Sequence, residues 1–258
     1  ALVRQVLGSR PLDRLLNTHL HSDHCGGNAL LAHTYGCRVA IPALDAPKVA
    51  AWDEEALSYR ATGQQCVRFG FDATLAPGDI LMLGELRWQV LAAPGHDPHA
   101  LLFFCESEGV LISGDALWEN GFGVVFPELA GEPGFDEVGA TLDLIATLDA
   151  RVVIPGHGAL FGDVPGALAR ARTRLDYLSA DPVRNAQNAV KVLLKFLLLE
   201  RRTLALDALP GLLASIPLVE RVRTGVLAMA KDELAHWACA ALVRAGAARI
   251  DGGTLLDV

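Results

Sequence analysis

From Leu12 to about Gly162 the chain alternates short apolar runs with Gly, Pro and Asp, the rhythm of buried strands joined by helices and loops. The runs at 15–18, 39–42, 80–83, 87–92, 101–105, 110–113 and 151–155 predict strands. Apolar positions recurring at helical spacing predict helices over 26–35 and 135–148. Beyond Pro165 the character changes: 167–178 and 185–199 are long helical patterns with no strand between them, and a further helix-rich stretch follows. The chain ends in a helix running into a two-stranded hairpin turned at Asp251-Gly252-Gly253. This shift predicts two domains, a strand-rich one over 1–164 and a helical one over 165–258.

Composition narrows the class. Of 258 residues, 52% are hydrophobic and 20% charged, enough to build a large core and too apolar for disorder. The greasiest stretch, 190–199, is cut by Lys191 and Lys195, so it reads as a packed helix and predicts no membrane span. Residues 1–14 lack the layout of a secretory signal. The five cysteines (25, 37, 66, 105 and 239) are odd in number and scattered, which suits reduced thiols in a cytoplasm better than a disulfide framework or a thiolate zinc site. Residues 1–163 carry 9 Lys+Arg against 21 Asp+Glu, whereas 164–258 carry 13 against 9, a net of +4. The acidic first part repels phosphodiester backbones, so a nucleic-acid partner is not favoured, although the basic second part leaves one open.

Four times in the first 160 residues an apolar run ends on a side chain able to bind metal. The segments are Leu15-Leu16-Asn17-Thr18-His19-Leu20-His21-Ser22-Asp23-His24, Val90-Leu91-Ala92-Ala93-Pro94-Gly95-His96, Val110-Leu111-Ile112-Ser113-Gly114-Asp115 and Val152-Val153-Ile154-Pro155-Gly156-His157. Imidazole nitrogen and carboxylate oxygen are the usual donors for zinc. His19 and His21, two apart in an extended segment, point to one side, and Asp23 and His24 follow as the chain turns. Loops at the ends of buried strands let a rigid sheet converge such groups on one point, and a preceding glycine permits a sharp exit. H-x-H alone is weak, but H-x-H-x-D-H followed by Gly-His, Gly-Asp and Gly-His takes in five of the eight histidines.

Over residues 10–163 this pattern resembles the metallo-β-lactamase superfamily. The resemblance implies an α/β fold, the αββα sandwich, with His19, His21 and His96 on one metal, Asp23, His24 and His157 on another, and Asp115 bridging. It also implies strands upstream of the first motif that these residues lack, leaving apolar sheet edges exposed. The carboxylate at 115 is similar to the glyoxalase II, lactonase and nuclease branches. Pro94-Gly95-His96-Asp97-Pro98-His99 loosely resembles the P-G-H-T-x-x-H form of lactamase-like proteins with a carboxy-terminal winged helix, so a winged-helix-like end is expected.

The implied function is a dinuclear zinc hydrolase, with iron or manganese as alternative metals. A bridging hydroxide would cleave a small ester, thioester or lactone, and Asp23 would bind metal and orient the nucleophile. The alternative is a metal-dependent nuclease acting on single strands. His99 is a candidate substrate contact or hydrogen-bond partner of a ligand, and Trp118 a candidate pocket wall. Cys25 reads as packing, and Arg170, Arg172 and Arg174 form a basic cluster on a helix, usually a solvated face.

Overall fold

In the computed structural model, which describes residues 2–258, the period-two patterning of the first part forms two sheets packed face to face. After a first helix, α1 (Leu2–Leu7), the smaller sheet is parallel, in the order β1 (Arg14–Leu16), β2 (Arg38–Pro42), β3 (Ala73–Leu75). Helices α2 (Ser22–Cys25) and α3 (Asn28–Tyr35) connect β1 to β2, and α4 (Ala46–Ala51) and α5 (Tyr59–Thr62) lie between β2 and β3. The larger sheet runs β4 (Ile80–Leu83), β5 (Leu86–Ala92), β6 (Leu101–Cys105), β7 (Val110–Gly114), β8 (Val152–Pro155). Its first four strands are antiparallel, and β8 lies parallel to β7 after a crossover through α6 (Phe126–Ala130) and α7 (Phe135–Thr147).

Alternation along the strands sorts side chains into layers. On β6, Leu101, Phe103 and Cys105 face the smaller sheet together with Trp88 and Val90, while Leu102 and Phe104 face α7. On β2, Ala40 turns towards β6, whereas Val39 and Ile41 pack with Cys25, Tyr59 and Phe69 under α2–α5. Helix, sheet, sheet, helix is therefore the order of layers, the αββα sandwich expected. Each fully buried Leu or Phe in it contributes roughly 1.5–3 kcal/mol. At the outer edge, β4 leaves Ile80 and Met82 exposed, and the Arg14 side chain donates to the Met82 carbonyl.

Past β8, α8 (Val164–Ser179) starts on an Asp163 cap and buries Val164, Ala167, Leu168 and Ala171 in the same core as β7 and α7. A second core begins only with α9 (Pro182–Arg201). Its buried residues Ala186, Val190, Leu193, Leu194, Leu197 and Leu198 recur at three and four, one stripe of an amphipathic helix. Against that stripe pack β9 (Thr203–Ala205), α10 (Leu209–Ala214), α11 (Pro217–Val222) and α12 (Lys231–Arg244). β10 (Ala248–Asp251) and β11 (Thr254–Asp257) form the expected hairpin, and β9 adds a third antiparallel strand beside β11. Among the described residues no helix is long and apolar enough to cross a membrane.

Candidate metal centre

The loops after β1, β5, β7 and β8 open at one end of the sandwich and bring all seven predicted side chains together. Three groups have ligand atoms within 4.8 Å of one another: His19, His21 and His96; His19, His24 and Asp115; and Asp23, His24 and His157. His21 Nδ1 lies 2.8 Å from His96 Nε2. Asp115 sits between the groups, with Oδ1 3.4 Å from His24 Nε2 and Oδ2 3.4 Å from His96 Nε2 and 3.7 Å from His157 Nε2. His157 Nε2 is 3.1 Å from Asp23 Oδ2 on the solvent side.

Local structure explains the convergence. Gly95 and Gly114 take left-handed φ values of 132° and 51°, the sharp exits expected of them. At Gly156 the reason is space instead: a Cβ there would overlap Asp115 Oδ1 and lie 2.7 Å from His24 Cε1. Behind the first motif, Asn17 and Asn28 hydrogen-bond each other, and Asn17 also donates to the His24 carbonyl, tying α2 and α3 to the end of β1. Ser22 Oγ donates to Gln64 Oε1 at 2.7 Å.

The donor set fits a metal. His96 Nδ1 faces the Val124 carbonyl at 2.5 Å, so that nitrogen carries the proton and Nε2 presents a lone pair. His19 Nδ1 meets Thr18 Oγ1 at 3.1 Å, while His19 Nε2 is buried with no partner. An orphaned nitrogen in a fully buried residue normally costs about 1–3 kcal/mol, and a cation among these rings would satisfy it.

Burial lowers His21 and His96 to about 4 against an ordinary 6.5, and burial with His21, His24 and His96 close by holds His19 well below its ordinary value too. Burial alone would raise Asp115, but hydrogen bonding to His24 and the charges of His96, His24 and His157 hold it below the usual carboxylate range. His157 is raised by its hydrogen bond to Asp23. Without metal the three depressed histidines stay neutral in the folded chain, while the unfolded chain takes up protons below pH 6.5. Their contribution to stability is thus full above about 6.5 and is lost as pH falls towards 4. His157 acts in the opposite sense but is the most exposed of the four. Chelator-stripped protein is expected to melt at a lower temperature at pH 5 than at pH 7.5, and an equal or higher midpoint at pH 5 would contradict this account of the site.

Trp118 also reaches the site: its Nε1 donates to Asp115 Oδ1 at 3.2 Å and its ring lies 5.3 Å from that of His157. His99 stands apart, pairing with Asp45 Oδ1 at 2.7 Å beside Lys48, in a cleft of about 630 Å³ that shares His21 and His96 with the centre. Cys25 is buried and donates to the Leu20 carbonyl, beside Tyr59. Sequence reasoning missed the groups that orient the rings, Thr18 and the Val124 carbonyl, and the nearness of Asp97, whose carboxylate lies 3.8 Å from His21 Nε2. It also missed α9, whose Val192, Phe196 and Leu199 wall a cavity of about 260 Å³ directly over His21, Asp115 and His157.

Known proteins resemble this chain in sequence and in fold. The family model described as the metallo-beta-lactamase superfamily matches residues 2–157. The hydroxyacylglutathione hydrolase of Rhodobacter capsulatus is 34% identical over 162 residues, 61% of this chain and 53% of that protein. That of Nitrobacter winogradskyi is 32% identical over 115 residues, 45% of this chain and 38% of that protein. The chain thus spans about half the length, or less, of these curated relatives. Among solved structures, a metallo-beta-lactamase family protein from Thermus thermophilus superposes over 99% of this chain and 85% of its own with a TM-score of 0.53 at 22% identity, a likeness of fold. The protein TTHA1623, solved in a di-iron-bound form, gives a TM-score of 0.53 at 27% identity over 67% of this chain and 82% of its own. The chain belongs to the metallo-β-lactamase superfamily.

Proposed function

We propose that this protein is a metal-dependent hydrolase of small thioesters, with related esters and lactones as further substrates, working on two zinc ions or, alternatively, iron or manganese. The observation that carries the reading is the convergence of three ligand groups on one point with the Nε2 of His19 left unpartnered. The hydroxyacylglutathione hydrolases it resembles act, by their name, on an acyl-glutathione, which is a thioester.

His19, His21 and His96 would hold one ion and Asp23, His24 and His157 the other, with Asp115 reaching both. Two such cations supply hydroxide at neutral pH and positive charge for the oxygen that becomes negative. The chain's part is orientation: the Val124 carbonyl fixes the His96 ring, Thr18 the His19 ring, and Trp118 the Asp115 carboxylate. Asp23, on the open side against His157, is placed to orient the attacking group, and the apolar face of α9 limits water above the site. A panel of thioesters, esters, lactones and phosphodiesters tests this. The wild type should turn over at least one thioester, and His96→Ala should lose more than the about 10–100-fold typical of changes beyond the ligands. No turnover of any substrate by metal-loaded protein would overturn the reading.

We also read the C-terminal unit as winged-helix-like, on the order α9, β9, α10, α11, α12, β10, β11. Since α8 packs with the first core and α9 opens the second, we place the division at the turn 180–181 rather than at 164–165. Limited proteolysis should leave α8 with the N-terminal fragment, and a first cut between 162 and 167 would refute this. Nuclease action has less behind it, because Arg170 and Arg172 are already paired with Asp163 and Asp143.

A further inference from the structure

The third arginine of that cluster behaves differently. Among the described residues Arg174 has no carboxylate within 4.0 Å, although its side chain is turned inward rather than to solvent. Its guanidinium carbon lies 5.7 Å from the centre of the Phe122 ring, one Nη donates to Asn188 Oδ1 at 3.3 Å, and Nε is buried with no acceptor. Gly121 leaves the room for it, since a Cβ there would stand 2.6 Å from Arg174 Cδ.

Arg174 lines the same cavity as Asp115, His157 and Trp118. Asp23 and Asp115 also border that cavity, but they are engaged with His24, His96 and His157. The other cation on the wall, Lys195, is held by Asp257 at 2.6 Å and by the Ala247 carbonyl at 2.7 Å. Lys191, one turn earlier on α9, has no carboxylate partner among the described residues either, and its own burial together with the Arg174 charge lowers its pKa. Arg174 therefore stands uncompensated beside the candidate metal ligands, with Lys191 near enough to feel its charge, in a chain whose net charge is −8.

A guanidinium does not give up its proton at any working pH, so it cannot escape the cost of burial by becoming neutral. Left without a counter-ion it disfavours the folded state, and an anion arriving from outside removes that penalty. The planar fork suits a carboxylate in particular. The cavity is small, about 260 Å³, and apart from Gln64 and the paired Lys195 its remaining walls are mainly apolar (Phe122, Phe196, Leu199), which suits a short acyl or thiol chain carrying the charge.

Resting on the hydrolase reading above, we propose that Arg174, with Lys191 adding to the same positive field, binds a carboxylate group of the substrate, so that the enzyme takes anionic thioesters in preference to neutral ones.

The test uses metal-loaded protein and two matched pairs of probes. Binding is measured calorimetrically with the non-hydrolysable thioether 3-(acetonylthio)propionate and with its primary amide. Turnover is measured with S-acetyl-3-mercaptopropionate and the corresponding amide. The wild type should prefer the carboxylate by about tenfold or more in both measurements, the scale of one hydrogen bond to a charged group. Arg174→Gln should collapse that ratio towards one, Arg174→Lys should restore part of it, and Lys191→Gln should reduce it by a smaller factor. The Lys variant keeps the charge, so its recovery separates lost recognition from lost folding. A wild type without preference, or a ratio undiminished in Arg174→Gln because the metals alone hold the carboxylate, overturns the proposal. If the calorimetric preference follows Arg174 while neither thioester is hydrolysed, the anion site stands and the hydrolase reading falls.

Discussion

Asp115→Asn is expected to lose one of the two metals proposed above and to lower turnover by more than about 100-fold, the upper end of what changes beyond the ligands usually cost. Among the described residues Asp115 is the one carboxylate within 4.0 Å of three histidines from different loops, His24, His96 and His157. Asparagine keeps its shape and can still accept from Trp118, so the substitution removes charge while sparing the hydrogen bond that orients the group. One negative charge fewer between two dications would leave their mutual repulsion less screened, so the second ion of the proposed pair would be lost first. His99→Ala is the control: its ring pairs with Asp45 and Lys48 away from the ligand atoms, so its metal content should match the wild type. Metal per chain by mass spectrometry, with rates on the same preparations, decides the matter. Two metals and full rate in Asp115→Asn would reduce this residue to an ordinary turn after β7.

Gly156→Ala should disable the centre as thoroughly, through space rather than charge. The added methyl would overlap Asp115 Oδ1 and stand 2.7 Å from His24 Cε1 and 3.1 Å from the carbonyl carbon of Gly114. The last of these is backbone in the β7–β8 pairing and cannot retreat, since Gly156 N–H is bonded to the Gly114 carbonyl at 2.7 Å. Two candidate ligands must therefore be displaced, and a misplacement of about 1 Å at such a site costs on the order of 100-fold. Gly139→Ala, in α7, provides the comparison, because its new Cβ would meet only Leu175 Cδ2 at an ordinary 3.6 Å. Circular dichroism should find both variants folded, with metal and activity lost from Gly156→Ala alone. Wild-type metal content in Gly156→Ala would mean that the ligands are not packed as described.

Much of this was legible in the sequence because the information is local. Period-two runs mark buried strands, so β4 and β6 fall where the pattern puts them, and β5, β7 and β8 within a residue at either end. β3 and β9 went unread because three residues cannot express a period; both exist through pairing with β2 and β11. The helix read over 26–35 starts two residues later, past Gly26-Gly27, as α3, and the short α2 before those glycines went unread. The candidate ligands stood out because each of the four segments that carry them ends an apolar run on chemically distinctive side chains. The groups that orient them did not: the partner of His96 is a main-chain carbonyl at Val124, with no signature at all. Nor could sequence reveal that α9 lies over the centre, or that one arginine in a basic cluster turns inward while its neighbours meet Asp163 and Asp143. Those depend on packing between elements far apart in the chain.

The central claim is that this chain hydrolyses thioesters through metal held by these seven residues. It is tested most directly by adding zinc stepwise to chelator-stripped protein while following thioester hydrolysis and bound metal together. The account predicts negligible rate without metal and a rate that rises with occupancy until two ions are bound per chain. Hydrolysis that is already full in the stripped protein, or metal that binds without restoring it, would contradict the account.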